Sequence, residues 1–197
     1  LHKEYRRQRQ MCIRDSKHQA NIIRNHSKWD MALTAFLLPR RIGGTWNKFR
    51  SNHEAQVLAD RWENPNNVRR QLAQNADRYM ALNVASYQRH GTFEFRSHHG
   101  SLNGTNACAW IALHLAFIDA CKDATHNAVL FNEAPANATS SNIATHSWQS
   151  QETRLASIGT ASLLIGKLEG LGKLTDANCA NYLRSRAGNI RNNNNNN

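Results

Sequence analysis

No C-x-x-C pair occurs in this chain, no apolar run approaches the length of a membrane span, and no segment repeats. The first absence removes the usual zinc-site spacings. Of the four cysteines, Cys12 lies in a stretch set apart below, leaving Cys108, Cys121 and Cys179. Three scattered cysteines argue against a disulfide framework and for a reducing compartment, read here as the cytoplasm. Each thiol is expected in the core or on a helix face. The second absence leaves no membrane partner to account for. Few aromatic residues alternate with basic ones, and no nucleic-acid reader motif is present, which disfavours a nucleic-acid ligand.

What is present is 197 residues, 40% of them hydrophobic, enough for the core of one ordinary domain or part of a larger one. The formal net charge is +11, which points to an anionic partner. Residues Arg6 to Ser16 read RRQRQMCIRDS, the in-frame translation of a transposase adapter used in sequencing libraries. Residues 1–16 are therefore expected to be an adapter artefact rather than native protein, with the native start lying upstream. Lys3, Arg6, Arg7, Arg9 and Arg14 against Glu4 and Asp15 account for +3 of the charge, leaving +8. The domain proper is expected over residues 17–190, followed by a disordered, asparagine-rich tail at 191–197.

The most informative stretch is Arg89 to Gly100, RHGTFEFRSHHG. Its centre alternates, sending Phe93 and Phe95 to one side of an extended chain and Thr92, Glu94 and Arg96 to the other. Glu94 and Arg96, roughly 6–7 Å apart by strand rise, can present a carboxylate to a metal ion and a guanidinium to an anion. The same spacing also describes an exposed charge pair on a sheet face. Arg78 to Val84 alternates too, placing Met80, Leu82 and Val84 together. It predicts a strand pairing with His90–His98 through a turn at Ala85–Arg89. Asn83 or Arg78 would then lie near Glu94 and Arg96.

Around this hairpin the periodicity predicts helices. Lys17–Leu38 reads as one amphipathic helix ending before Pro39, and Arg40–Arg50 as a basic, glycine-bearing loop suited either to phosphate or to plain solvent. His53–Trp62 and Asn66–Asp77 read as two short helices, with Asn64 capping the second and Pro65 in its first turn. Thr105 or Asn106 caps a helix to about Lys122 with Ala107, Trp110, Ile111, Leu115 and Ile118 inward, and His114 packed rather than ligating. Thr125–Ser150 reads as a long loop, Gln151–Leu168 as a helix stopped at Gly170 or Gly172, and Thr175–Asp176 as the start of a last helix through Arg186. The fold class expected is α+β, an antiparallel hairpin packed by several helices.

Arg78-Tyr79-x-x-Leu82-Asn83, then His90-Gly91-Thr92-Phe93-Glu94-Phe95-Arg96, then Gly100-Ser101-Leu102 and Trp110-Ile111 resemble the amidoligase family. Arg41 with Asn47 upstream, and Leu163-Leu164 through Leu183-Arg184 downstream, extend the likeness over residues 20–190. That family is related to the glutamine synthetase and glutamate-cysteine ligase superfamily of carboxylate-amine ligases. The resemblance implies a glutamine synthetase-like catalytic domain and an ATP- and Mg²⁺-dependent amide-forming ligase. Its partners would be a carboxylate and an amine substrate, glutamate or peptide-like. Glu94 would be a Mg²⁺ ligand and Arg96 a substrate or phosphate clamp, both catalytic; Arg78 and Arg41 would contact phosphate and Asn83 substrate. The family's Glu-x-Glu and His-x-His strands do not occur here. The resemblance therefore implies an incomplete domain, inactive alone, because one glutamate cannot build a Mg²⁺ site. The competing reading is a basic, non-catalytic nucleic-acid binder, resting on the residual charge and on the Arg40-Arg41 and Arg69-Arg70 pairs. Resequencing the locus from intact DNA is expected to replace codons 6–16 with unrelated sequence; recovery of the same eleven codons inside a continuous gene would overturn the adapter reading.

Overall fold

Because alternating segments are few and helical periodicity prevails, helices carry most of the chain. The computed structural model describes residues 18–34, 50–64, 66–96, 102–134 and 151–192. Within these, helices α1 (Gln19–Lys28), α2 (Asp30–Thr34), α3 (Asn52–Glu63) and α4 (Arg69–Gln74) precede a small hairpin. The hairpin consists of β1 (Leu82–Asn83), α5 (Ser86–His90) and β2 (Glu94–Phe95). Helices α6 (Gly104–Lys122), α7 (Ala124–Asn132), α8 (Gln151–Gly170) and α9 (Ala177–Asn192) follow. A mostly helical chain with one two-stranded antiparallel sheet is α+β, as expected.

The first helix does not run unbroken. It pauses at Trp29, whose indole N–H donates to the Leu130 carbonyl at 3.0 Å, and resumes at Asp30, an acidic first-turn residue favoured by the helix dipole. Trp29 is wholly buried, so its one polar atom needs that partner. α1 packs against α3, α6 and α7, and α2 against α8, which puts α1 at the centre of the bundle. Arg24 on α1 reaches both Glu63 (2.7 Å) and Asp60 (2.8 Å) on α3. Such rim pairs add modestly to stability, but they fix the facing of the two helices.

α3 begins with a capping box. The Ser51 hydroxyl accepts the Glu54 N–H, and the Glu54 carboxylate accepts the Ser51 N–H. Asn64 does not cap the following helix as the sequence suggested. It ends α3 and folds back to accept the Asn66 N–H at 2.9 Å, while α4 starts only at Arg69, behind Val68. Pro65 lies outside the described residues.

Two further expectations are corrected. Residues 85–89 are not a simple turn. They form the helix α5, which ends at Gly91 in the left-handed conformation, φ 65°. Residues 124–132 are a helix rather than loop, started by the Asp123 carboxylate accepting the His126 N–H. The face of α6 is also rotated from expectation. Ala109, Leu113, Phe117 and Ala120 are buried, whereas Ile111 and Leu115 are 37% and 43% exposed. α6 is apolar almost all round, so its pattern carries little phase. Its cap is Asn103, which accepts the Asn106 N–H.

The C-terminal pair follows the sequence closely. α8 ends in a glycine cap, Gly172 at φ 65°, with Lys173 N–H donating to Leu168. Asp176 then accepts the N–H groups of Asn178 and Cys179 to start α9. α9 continues to Asn192, so the first two residues of the expected tail are helical. Residues 193–197, the adapter-like residues 1–16 and residues 135–150 lie outside the described residues. No described helix is long and apolar enough to cross a membrane.

Replacing Ser51 with alanine removes one half of the capping box. Ser51→Ala is expected to cost about 1 kcal/mol and lower Tm by about 2–4 °C in a thermal melt followed by circular dichroism.

Candidate functional site

The hairpin ladder is short, and its register decides the site. Leu82 pairs with Phe95 and Asn83 with Glu94, so the Asn83 and Glu94 side chains rise from directly opposed positions. The ladder continues through the Arg96 N–H, which donates to the Ala81 carbonyl at 2.8 Å. Ser86 stitches the two strands where a tight turn would have been. Its hydroxyl lies 2.6 Å from the Thr92 carbonyl and 3.1 Å from that of Asn83, and its single proton serves one at a time.

Four of the five site residues read from the sequence meet here. Asn83 Nδ2 donates to Glu94 Oε2 at 2.9 Å, while Asn83 Oδ1 accepts the Ala85 N–H, which fixes the amide's orientation. Glu94 Oε1 stands 3.9 Å from Arg96 Nε, an ion pair too long for a hydrogen bond. Arg96 Nη1 donates to the Arg78 carbonyl at 2.6 Å. The Arg78 guanidinium turns onto Tyr79, donating to its hydroxyl at 2.8 Å and lying 4.9 Å from the ring centre. Arg78 thus joins the row through its backbone, and its side chain is directed elsewhere. Arg41 lies outside the described residues. Glu94 and Arg96 keep 38% and 25% of their side chains exposed, which makes the row a half-covered surface rather than a freely solvated one.

Behind the row, Phe95 is clasped by two histidines. His114 meets it edge-on at 4.7 Å between ring centres, and His26 lies tilted at 5.8 Å. His114 packs in turn on Trp110 at 3.9 Å and faces its carbonyl through Nδ1 at 3.1 Å. His114 is therefore packed, as expected. His26 is also buried, and burial, reinforced by the nearby His114 and Arg50, lowers its pKa to about 3. It is neutral wherever the protein works near pH 7.

Arg50 is the residue the sequence reading missed as an individual, having been absorbed into the basic loop before α3. Its Nη1 donates to the Leu82 carbonyl at 2.8 Å, so a guanidinium holds the strand that bears Asn83. Burial lowers its pKa to about 10, with Glu54 and Asp77 acting the other way, and it remains a cation at neutral pH. Arg50 also lines a cleft of about 510 Å³ with His53, Leu58, Leu72, Asp77 and Met80. The sequence signal was its place as the last basic residue before a helix cap.

The donor set does not fit a resident divalent metal on its own. No group of three or more histidine, cysteine, aspartate or glutamate side chains comes together among the described residues, and Glu94 contributes one uncommitted oxygen. Mg²⁺ needs near-octahedral oxygen coordination. The chemistry the row can perform by itself is to bind an anion at Arg96, beside a carboxylate that Asn83 holds in place.

A family model described as "Putative amidoligase enzyme" matches residues 10–118, which takes in the last of the adapter-like stretch, α1 to α5, both strands and most of α6. No curated protein and no solved structure matches the chain.

Because the folded His26 binds its proton less readily than the unfolded chain does, its contribution to stability is complete above about pH 6.5 and is lost as pH falls toward 3. Unfolding free energies from urea titrations are expected to fall between pH 6.5 and 5 with a slope approaching about 1.4 kcal/mol per pH unit. His26→Gln, compared over the same interval, should flatten that slope. An unchanged slope would show that His26 is not the group responsible.

Proposed function

The chain belongs to the amidoligase family, and from that premise we propose that it is part of an ATP-dependent carboxylate-amine ligase of the glutamine synthetase-like kind. The observation that carries this reading is the Asn83–Glu94–Arg96 row inside the family match.

In such a reaction the substrate carboxylate attacks the γ-phosphorus of ATP and ADP departs, leaving an acyl phosphate. The amine nitrogen then attacks the acyl carbon, phosphate leaves, and the amine proton passes to a base or to water. Both steps develop negative charge on phosphoryl and carbonyl oxygens, and a preorganised guanidinium stabilises that charge. Arg96 has this role, with its direction set by the Arg78 carbonyl. Asn83 fixes Glu94, leaving Oε1 to face the cationic side of the incoming groups. Arg50 holds β1 in place from beneath and presents its charge to the neighbouring cleft. Arg41 completes our list as a phosphate contact.

Mg²⁺ offsets phosphate charge in ligases of this type, and Glu94 is our candidate for one of its ligands. The remaining oxygens must come from outside the described donor set, so no step is assigned to the metal. On this reading the chain carries one wall of the site and does not complete a turnover alone. Glutamate or a peptide-like carboxylate is our candidate acyl substrate.

The test is ATP turnover that depends on both a carboxylate and an amine, measured for this chain and for the gene product extended upstream. The extended product is expected to turn over and this chain is not. In the extended protein Glu94→Gln or Arg96→Ala should lower kcat by about 100-fold or more, with Tm and circular dichroism unchanged. Near-normal kcat in either folded variant would sink the assignment.

A further inference from the structure

The geometry points to a second chemical feature, away from the hairpin. We propose that Cys108 on α6 and Cys179 on α9 form a reversible disulfide that staples the two helices under oxidising conditions.

The two helices pack together. Lys173 pairs with Asp119 at 2.9 Å. A cavity of about 400 Å³ then brings Leu174, Thr175 and Asp176 against Ala112, Leu115 and Ala116. The Lys173–Asp119 pair lies within one turn of the C-terminal end of α6, and α9, which follows that pair, packs on α6, so α9 runs back toward the N-terminal turns of α6. Cys108 continues the Ala112, Leu115, Asp119 stripe, because spacings of four, three and four residues keep one helical face. From Asp119 back to Cys108 is roughly 16 Å of helix rise. From Lys173 forward to Cys179 is roughly 15 Å, three steps of extended chain and three of helix. The two measures bring the cysteines to the same level on facing helices.

Exposure separates this pair of thiols from the third. Cys108 is exposed and Cys179 is partly exposed, whereas Cys121, near the end of α6, is buried. The Cys179 thiol donates to Asp176 Oδ2 at 3.3 Å. Its pKa is raised by desolvation first, then by Asp176, and also by Cys108. Cys108, the accessible partner, is the one that meets the oxidant. With hydrogen peroxide as the oxidant, its sulfur takes one oxygen, giving a sulfenic acid and one water. The Cys179 sulfur then attacks that sulfur, forming the S–S bond and releasing the second water, so two electrons pass to peroxide and both thiol protons end in water. The bond would close a loop of about seventy residues, long enough to restrict the unfolded chain strongly.

The test exposes the folded, full chain to hydrogen peroxide and maps its peptides without reduction. Chymotrypsin is the protease of choice, because cleavage at Trp110 separates Cys108 from Cys121. The expected product is a Cys108–Cys179 linked pair, two hydrogens lighter than the free peptides and released by dithiothreitol. The oxidised protein should melt about 5 °C or more above the reduced one, a gain absent from Cys108→Ser and from Cys179→Ser. Recovery of Cys108 as sulfinic or sulfonic acid beside a free Cys179 would overturn the proposal. Disulfides formed only through Cys12 or between chains would overturn it as well.

Discussion

Trp62 is where the helical layer and the hairpin meet. Its indole N–H donates to the Gln19 side chain at 2.7 Å, tying α3 to the start of α1, and its ring stands edge-on to both Tyr87 and Phe93 at 5.3 Å. Tyr87 belongs to α5 and Phe93 precedes β2, so one buried ring fixes both ends of the connection between the strands. A buried indole without an acceptor would cost the desolvation of its N–H, which makes the buried Gln19 as necessary as the ring itself. The Asn83–Glu94 register follows from this anchorage, because two ladder pairs are too few to hold a hairpin in water.

The site depends on the same economy of support. Glu94 sits on a strand of two residues and Arg96 just past its end, yet each is directed by a partner that is itself held. Asn83 is locked by the Ala85 N–H, the Arg78 carbonyl takes Arg96, and Arg50, just before α3, holds the Leu82 carbonyl of the facing strand. The underside is a stack of rings, His26, Phe95, His114 and Trp110. Glu94 and Arg96 stay near each other at 3.9 Å without closing into a tight pair, because Asn83 holds the one and the Arg78 carbonyl the other.

How much of this could be read from the residues varies with the strength of the local signal. The alternation of Phe93 and Phe95 against Glu94 and Arg96 was legible because period two has a single phase, and the hairpin, its pairing and the nearness of Asn83 to Glu94 and Arg96 followed from it. α5 was not legible: five residues, Ser86 to His90, are too short for helical periodicity, and only Gly91 marked where a left-handed residue would end a helix. The face of α6 was misread because Ile111, Leu115, Leu113 and Phe117 surround the helix, so no sequence phase distinguishes the side that packs. Arg50 could not be singled out from its basic neighbours, since its importance comes from a carbonyl thirty-two residues away. Contacts of that range have no local signature.

The helical link between the strands has a consequence for how this hairpin can diverge. In a two-residue turn, chain length sets strand register, and any insertion shifts every facing pair. Here register is held by Ser86 at one end and by Tyr87 and Phe93 packed on Trp62, while Gln88, Arg89 and His90 are exposed. Residues can therefore be added or removed at 88–90 without changing which side chains oppose one another, and the rim beside Glu94 is free to vary in size and charge. The fold separates the part that must stay constant from the part that can be tailored to a different ligand.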